Sequence, residues 1–309
     1  MLSGMLTRQP VGDEWESAIR VGSTRRMTFV GNLRRALSAV AVVAALAGAG
    51  CASNKLDTSA LNPDPPSKMF ANADAKMSSG NFDDAAKQFE AVDREHPYSP
   101  EARKSIVMAA YAYYRAGKTP EAIASAERYV ALHPGTKEAP MAHHIIAMSY
   151  FDDLKTANRD QTAARKALEQ FKILRTRFPE SEYSRDADNK IRICMDNLAA
   201  QEMEVGRYYL NQHNYVAAIN RFKTVVSDYQ TTAHVEEALA RLVESYMALG
   251  VVTEAQNAAA ILGHNYPDSK WYKDSYALLQ SGGVGPRDDS GSWLSKAWKS
   301  VPKFGLGSG

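Results

Sequence analysis

Residues 85–99 read AAKQFEAVDREHPYS, and the spacing of residue types in this stretch recurs five times along the 309-residue chain. In every copy an alanine is followed, four residues later, by a second small or aromatic residue, and fourteen residues later by Ser or Thr. In four copies a proline stands two residues before that hydroxyl residue. The copies are Ala85/Phe89/Pro97/Ser99, Ala122/Ala126/Pro134/Thr136, Ala167/Phe171/Pro179/Ser181, Ala218/Phe222/Gln230/Thr232 and Ala255/Ala259/Pro267/Ser269. Because these anchors are packing and capping residues, they predict a stacked helical scaffold that works by binding.

The anchor alanine and the residue four positions later indicate where the helices of each copy touch. A small side chain lets the second helix of a hairpin lie close to the first, and the later residue fills the gap one turn away. Proline ends the helix because it has no backbone N–H, and the hydroxyl that follows can cap the next helix. Gly80, Gly117 and Gly250 lie five residues before an anchor alanine, where two helices need a tight turn. The pattern predicts an all-α protein of helical hairpins.

These offsets resemble those of the tetratricopeptide repeat over residues 66–280, and the resemblance implies a right-handed superhelical solenoid of five hairpins, placed at residues 67–280. Successive anchor alanines are 37, 45, 51 and 37 residues apart, whereas the standard unit has about 34 residues. We expect the first surplus in a polar connection from Asp152 to Thr162. We expect the second in a proline-free helix over residues 182–212, about 30 residues and about 45 Å long.

An apolar segment near the start of the chain predicts export. The residues from Ala36 to Ala49 are almost all small or apolar, and two arginines precede them. The segment is too short for a membrane-spanning helix, which needs about 20 residues, but it suits the apolar part of an export signal. We therefore assign residues 1–50 to a signal peptide with a mis-assigned upstream start, and we expect translation to begin at Met27.

Cys51 directly follows that segment and resembles the modified cysteine of a bacterial lipoprotein. The resemblance implies lipidation of Cys51, and Ala52, in place of the aspartate that retains lipoproteins at the inner membrane, implies the outer membrane. Gly48 stands where the lipoprotein pattern prefers leucine, so an ordinary cleavage site that yields a soluble protein also fits. Residues 51–66 are rich in Ser, Asn, Asp and Pro, and this composition predicts a flexible tether.

Charge and motifs give no support to several function classes. Without residues 1–50 the chain holds 31 basic and 32 acidic residues, and this near-neutral balance does not favour nucleic-acid binding. The sequence contains no H-E-x-x-H, G-x-S-x-G, Walker or dinucleotide-binding motif. Adjacent His143 and His144 point about 100° apart on a helix, one to the core and one to water, which suits a metal ion poorly. We expect no catalysis, metal or cofactor, and a buried structural thiol at Cys194.

Binding surfaces are better supported than catalytic sites. In the repeat class the first helices of the hairpins line a concave groove, and the matching positions predict six groove residues: Phe70, Met77, Val107, Tyr111, Tyr114 and Arg115. Tyr111 lies three residues before Tyr114 and one turn before Arg115. Two rings and a cation suit a peptide with an aromatic side chain and a terminal carboxylate. The alternative is that these tyrosines only pack against the neighbouring hairpin.

Residues 281–309 combine a Gly-rich linker with a short basic amphipathic tail. One helical face carries Trp293, Leu294, Ala297, Trp298 and Val301, whereas Lys296, Lys299 and Lys303 lie mostly off it. A basic segment with two tryptophans can lie on a membrane surface or dock in the groove of a partner. Disorder in isolation is the alternative.

The repeats, their turn motif, the long helix after the third hairpin and the acylation cysteine together resemble the BamD (ComL) family. These lipoproteins belong to the machine that inserts β-barrel proteins into the Gram-negative outer membrane. The resemblance implies a non-enzymatic scaffold, lipid-anchored on the periplasmic face of the outer membrane. It implies that the first hairpins engage C-terminal signals of unfolded outer membrane protein clients. The last hairpins would hold the periplasmic domains of a BamA-like barrel subunit, alongside other assembly-complex lipoproteins.

Arg221 is the candidate contact for an acidic residue of that barrel subunit. It sits beside the anchor Phe222 but off the packing stripe of its helix. An ordinary solvated arginine is the alternative. Gly48 and the basic tail are the places where the chain departs most from the family pattern.

Two other function classes fit parts of the sequence. A periplasmic tetratricopeptide repeat protein that coordinates envelope constriction or cell-wall synthesis uses similar turns. Such proteins carry a coiled coil ahead of the repeats, and no sustained heptad precedes residue 66 here. A cell-wall hydrolase on a helical solenoid needs a deeply placed acid or nucleophile, which the pattern does not supply. The mass of the mature N-terminal peptide distinguishes a lipoprotein from a periplasmic repeat protein of this kind. The proteins that a pull-down recovers from solubilised envelopes test the assembly function against both alternatives.

Overall fold

The computed structural model describes residues 64–300, and all regular structure in this part of the chain is helical. The predicted signal peptide, the predicted start at Met27, the predicted lipidation site Cys51, most of the predicted tether and the last residues of the tail lie outside the described residues. In chain order the helices are α1 (Pro66–Ser78), α2 (Phe82–Glu95), α3 (Pro100–Arg115), α4 (Thr119–Leu132), α5 (Ala139–Phe151), α6 (Thr162–Arg177), a 3-10 helix (Glu182–Ser184), α7 (Ala187–Asn211), α8 (Tyr215–Asp228), α9 (Val235–Ala248), α10 (Val252–Asn265), α11 (Lys270–Ser281) and α12 (Trp293–Ser300).

The predicted tetratricopeptide-like solenoid is confirmed. Each α-helix from α1 to α10 packs against the helix that follows it, and these ten helices form five consecutive hairpins. The first helices of the first three hairpins also touch, since α1 contacts α3 and α3 contacts α5. The helix α11 packs on α9 and α10 and closes the stack. The right-handed sense of the superhelix stays a prediction from the repeat class.

The anchor residues form the core of this stack. All five anchor alanines and the residues four positions after them are buried, including Phe89, Phe171 and Phe222. Burial of one such phenylalanine contributes about 1.5–3 kcal/mol relative to leaving it exposed. The anchors therefore hold each hairpin together, as their spacing predicts.

The turn chemistry follows the prediction at the serines but not at the threonines. The hydroxyl of Ser99 accepts a hydrogen bond from the backbone of Ala102 at 3.0 Å, and Ser269 caps α11 in the same way. Thr136 and Thr232 instead donate back to carbonyl groups of the preceding turn, at 3.0 and 2.8 Å. The expected caps are wrong here because α5 and α9 begin three residues after these threonines, beyond the reach of their side chains.

The long helix is shorter than predicted. Residues 182–184 form a 3-10 turn, and α7 then runs for 25 residues, which corresponds to about 37 Å. Ser181 caps the 3-10 turn, and the hydroxyl of Ser184 donates to the carbonyl of Phe178 at 2.7 Å. These bonds hold the chain in a turn before α7 can begin. The polar connection in the third hairpin is confirmed, between α5 and α6.

The C-terminal tail also differs from its prediction. The sequence suggests a separate segment for a membrane or a partner, but α12 packs against α8 and α10 of the same chain. Leu294 is 0% exposed and belongs to the same buried cluster as Phe222. The physical reason is that the outer faces of α8 and α10 leave an apolar groove, which the apolar face of α12 fills.

A glycine inside α7 sets the distance between the two helices of the fourth hairpin. Gly206 is buried and faces the ring of Phe222, and a Cβ atom at this position would overlap that ring. Glycine normally weakens a helix interior by about 1 kcal/mol relative to alanine. Its presence here is explained by the close approach of the Phe222 ring.

Replacement Gly206→Ala separates these two effects. Helix propensity alone predicts a more stable protein, whereas overlap with Phe222 predicts a loss of about 1–3 kcal/mol in the free energy of unfolding. We expect the loss, measured by urea unfolding followed by circular dichroism. Gly135→Ala is the control, because nothing lies within 4 Å of a Cβ atom there. A stability equal to or above that of the unchanged protein would contradict this account.

Candidate functional site

The six predicted groove residues divide between the core and the surface. Val107 is only 1% exposed, so its assignment to an open groove is wrong: it faces the inside of the hairpin stack. Phe70 is half-buried and packs edge-on against Phe89, with 5.2 Å between ring centroids. Met77 is half-buried against the same core cluster. These three residues thus contribute mainly to packing of the first two hairpins.

Tyr111 and Arg115 do come together on the surface. Nη1 of Arg115 donates to the hydroxyl oxygen of Tyr111 at 2.9 Å. The guanidinium carbon also lies 4.7 Å from the ring centroid of Phe82, a residue of α2 that the groove pattern does not include. We call Phe82, Tyr111 and Arg115 the Arg115 cluster. Its guanidinium is held between two rings, and the side chain of Arg115 remains exposed.

Tyr114 connects two hairpins. Its hydroxyl donates to a carboxylate oxygen of Asp152 at 2.7 Å, across the boundary between α3 and the loop after α5. Burial, and next this hydrogen bond, raise the pKa of Tyr114 to about 12. Tyr114 therefore fits the alternative stated in the sequence analysis, in which a tyrosine of α3 packs against the neighbouring hairpin.

Sequence reasoning missed an aromatic contribution from the 3-10 turn. This turn packs against α5, and the ring of Tyr183 stacks at a tilt on His144, with 5.3 Å between centroids. The only signal in the sequence is the surplus of residues between Pro179 and the long helix.

The adjacent histidines serve packing. His143 is 3% exposed, and its Nδ1 lies 2.7 Å from Oε1 of Gln170, whereas His144 is half-buried against Tyr183. Within residues 64–300 no group of three or more His, Cys, Asp or Glu side chains is placed to hold a metal ion. Burial raises the pKa of the Cys194 thiol to about 12, so this cysteine stays protonated at neutral pH.

Arg221 lies on the surface of the fourth hairpin, beside α7. Its Nη1 lies 3.2 Å from Oε2 of Glu202 on α7. The Glu202 side chain is 16% exposed, whereas that of Arg221 is 45% exposed. The position off the packing stripe is thus as predicted, but the guanidinium is already paired within the chain and is not simply solvated. None of the helices in the described part of the chain is long and apolar enough to cross a membrane.

The buried histidines predict a loss of stability in mild acid. Burial is the main cause that lowers the pKa of both His143 and His144 below the ordinary value of 6.5. The fold therefore favours neutral rings, and the stability that this contributes is present above pH 6.5 and is lost as the pH falls below it. We expect a lower thermal midpoint at about pH 5.5 than at about pH 8.

His143→Gln should reduce this pH dependence, because glutamine keeps a polar side chain that does not titrate. His264→Gln, at an exposed position of α10, is the control and should keep the full dependence. If the thermal midpoint falls by the same amount between the two pH values in both variants and in the unchanged protein, His143 is not a source of the pH dependence.

Comparisons with known proteins agree on one family. Residues 62–262 match the YfiO family, which is described as an outer membrane lipoprotein. Outer membrane protein assembly factor BamD of Caulobacter vibrioides is 40% identical, over 82% of this chain and 83% of its own length. The BamD protein of Rickettsia prowazekii is 35% identical over 81% of this chain and 98% of its own. That of Neisseria meningitidis serogroup A is 34% identical over 65% and 79%. The matched region contains both the Arg115 cluster and Arg221.

Proposed function

The chain belongs to the YfiO family of outer membrane lipoproteins, and from this we propose that it is a non-enzymatic scaffold of the β-barrel assembly machinery. The observation that carries the proposal is the family match across all five hairpins. A stack of hairpins offers extended surfaces for other polypeptides. We therefore propose that it assists the folding and insertion of outer membrane proteins, and the names of its relatives favour this over envelope constriction or cell-wall synthesis.

We also propose that a lipid on Cys51 anchors the chain at the periplasmic face of the outer membrane. Support comes from the apolar segment before Cys51 and from the description of the family as lipoproteins. The intervening tether would let the hairpins stand away from the lipid surface.

The Arg115 cluster is the proposed site for the C-terminal signal of an unfolded client. Two rings hold the guanidinium in place, and one of its five N–H donors is used by Tyr111. A held guanidinium can bind a terminal carboxylate with little loss of side-chain entropy, and the Tyr111 ring can contact an aromatic side chain. Val107 is excluded from this site by its burial, and Tyr114 by its bond to Asp152.

A peptide that ends in an aromatic residue with a free carboxylate tests this site. Because a hydrogen bond to a charged group contributes about 1.5–3 kcal/mol, we expect Tyr111→Ala with Arg115→Ala to weaken binding roughly 10- to 100-fold. Fluorescence anisotropy with a labelled peptide measures the affinity. A peptide with an amidated C-terminus should bind the unchanged protein as weakly as the free-carboxylate peptide binds the double variant.

Tyr98→Ala is the control for that experiment, because Tyr98 is a fully exposed ring outside the cluster, in the turn between α2 and α3. Equal peptide affinity of the double variant and the unchanged protein would remove the proposed site.

Arg221 is the proposed contact for an acidic residue of a BamA-like barrel subunit, in a complex that also holds other assembly lipoproteins. Its ion pair with Glu202 orients the guanidinium, while nearly half of the side chain stays accessible. A partner carboxylate can bind the donors that Glu202 leaves unused.

Arg221→Ala should reduce recovery of the barrel subunit when the full-length protein is captured from detergent-solubilised envelopes. Loss of one partner of a hydrogen-bonded charge pair buried at an interface typically costs about 2–5 kcal/mol, which corresponds to a loss of 30-fold or more in affinity. Glu202→Gln is the matched control: it breaks the same internal ion pair but keeps the guanidinium. If both variants lose the partner equally, Arg221 acts through the fold and the proposed contact is wrong.

A further inference from the structure

The C-terminal segment bridges the second helices of two hairpins. In the hairpin pair α7/α8 and α9/α10, the second helices α8 and α10 are the ones that α12 contacts. Leu294 is buried in the groove, and Trp293 and Trp298 pack partly buried against the same core. The apolar face of α12 is therefore used within the chain.

Trp293 reaches both hairpins. Nζ of Lys223 on α8 lies 4.2 Å from its ring centroid, and its indole N–H donates to the hydroxyl of Tyr246 on α9 at 3.2 Å. Trp293 therefore joins the fourth hairpin to the fifth.

A buried polar residue of α10 depends on the same segment. Asn257 is 0% exposed, and its Oδ1 accepts hydrogen bonds from the backbone of Asp289 and the hydroxyl of Ser295, both at 3.1 Å. The neighbouring Gln256 donates to the carbonyl of Gly285 at 2.7 Å. The docked segment covers Asn257 and supplies both partners of its Oδ1, whereas its buried Nδ2 has no hydrogen-bond partner.

The missing proline of the fourth copy has an explanation in this contact. Nε2 of Gln230 donates to the carbonyl of Ala297 in the last turn of α12, at 3.2 Å. Tyr229, just before it, has φ −127° and ψ 36°, close to the −136° and 52° of His133, which precedes a proline. Proline would therefore fit the backbone, but it could not reach α12.

We propose that residues 284–300 form a strap that locks the fourth hairpin to the fifth. Neighbouring units of a solenoid are otherwise held only by the packing of adjacent helices. The strap adds a second connection, between α8 and α10, and it carries both apolar and polar contacts. Gln230, Lys223 and Asn257 are its receptor residues.

The strap leaves the proposed partner contact uncovered. Arg221 and Lys223 are about 200° apart around α8 at about 100° per residue, so the strap and the Arg221–Glu202 pair lie on different sides of the helix. A locked pair of hairpins presents Arg221 without an ordering cost on binding. This last step rests on the proposed function; the lock itself does not.

Amide hydrogen exchange of the full-length protein tests the lock. Leu294→Asp places a charge in the groove, and Gln230→Pro restores the residue of the other copies while it removes the bond to Ala297. We expect at least 10-fold faster exchange in α10 and α12 for Leu294→Asp, a smaller increase confined to α12 for Gln230→Pro, and unchanged hairpins one to three. Lys296→Ala, at an exposed position of α12, is the control.

Unchanged exchange in α10 and α12 of both variants would overturn the strap. Loss of protection throughout all five hairpins would equally overturn it, because the segment would then be part of one global core. Capture of the barrel subunit is the second readout. Equal recovery by Leu294→Asp and the unchanged protein overturns the link to the partner, whereas no recovery by the unchanged protein overturns the proposed function and leaves the lock intact.

Discussion

The close approach of two helices at each anchor alanine is the constraint on which the rest of the structure depends. Ala85, Ala122, Ala167, Ala218 and Ala255 are fully buried, and a larger side chain at any of them would separate the helices of its hairpin. Because the contact recurs, every hairpin presents the same faces to its neighbours. Along the first three hairpins the first helices meet one another, and at the fourth and fifth hairpins the second helices α8 and α10 leave a groove that α12 fills. Both candidate binding surfaces and the strap are consequences of this division.

Side chains on the first helices have two roles, and burial decides between them. Val107 lies inside the stack, and Tyr114 joins the second hairpin to the third through Asp152. Arg115 is exposed but held between the rings of Tyr111 and Phe82. Only a residue that is both held and accessible can bind a ligand with a small entropic cost. This criterion reduces the six predicted groove residues to Arg115, which is supported by the rings of Tyr111 and Phe82.

The sequence predicts local features of this protein well because the repeat encodes them within about fifteen residues. The anchors, the turn glycines and the serine caps need only helix geometry and backbone chemistry. The tail could not be predicted in the same way, since the bond between Gln230 and Ala297 joins residues 67 positions apart. The capping prediction for the threonines is wrong for a related reason. The hydroxyl of Thr136 can either cap the next helix or donate to the carbonyl of His133, and the long turn before α5 leaves only the second bond within reach. The groove assignment of Val107 is wrong because the position of a residue on a helix face gives the direction of its side chain but not how deeply that side chain is buried.

Departures from the repeat are concentrated in the fourth hairpin. Its first helix is the longest, Gly206 lies inside that helix against Phe222, and Gln230 replaces the proline. His213 has φ 56° where three other copies use glycine, a conformation that costs a non-glycine residue about 1–2 kcal/mol. Local rules are broken mainly where function or a compensating contact requires it. Gly206 is compensated by the Phe222 ring and Gln230 by α12, and the same hairpin carries Arg221 with Glu202. The fourth hairpin therefore carries several departures from the repeat together with the contacts that compensate two of them.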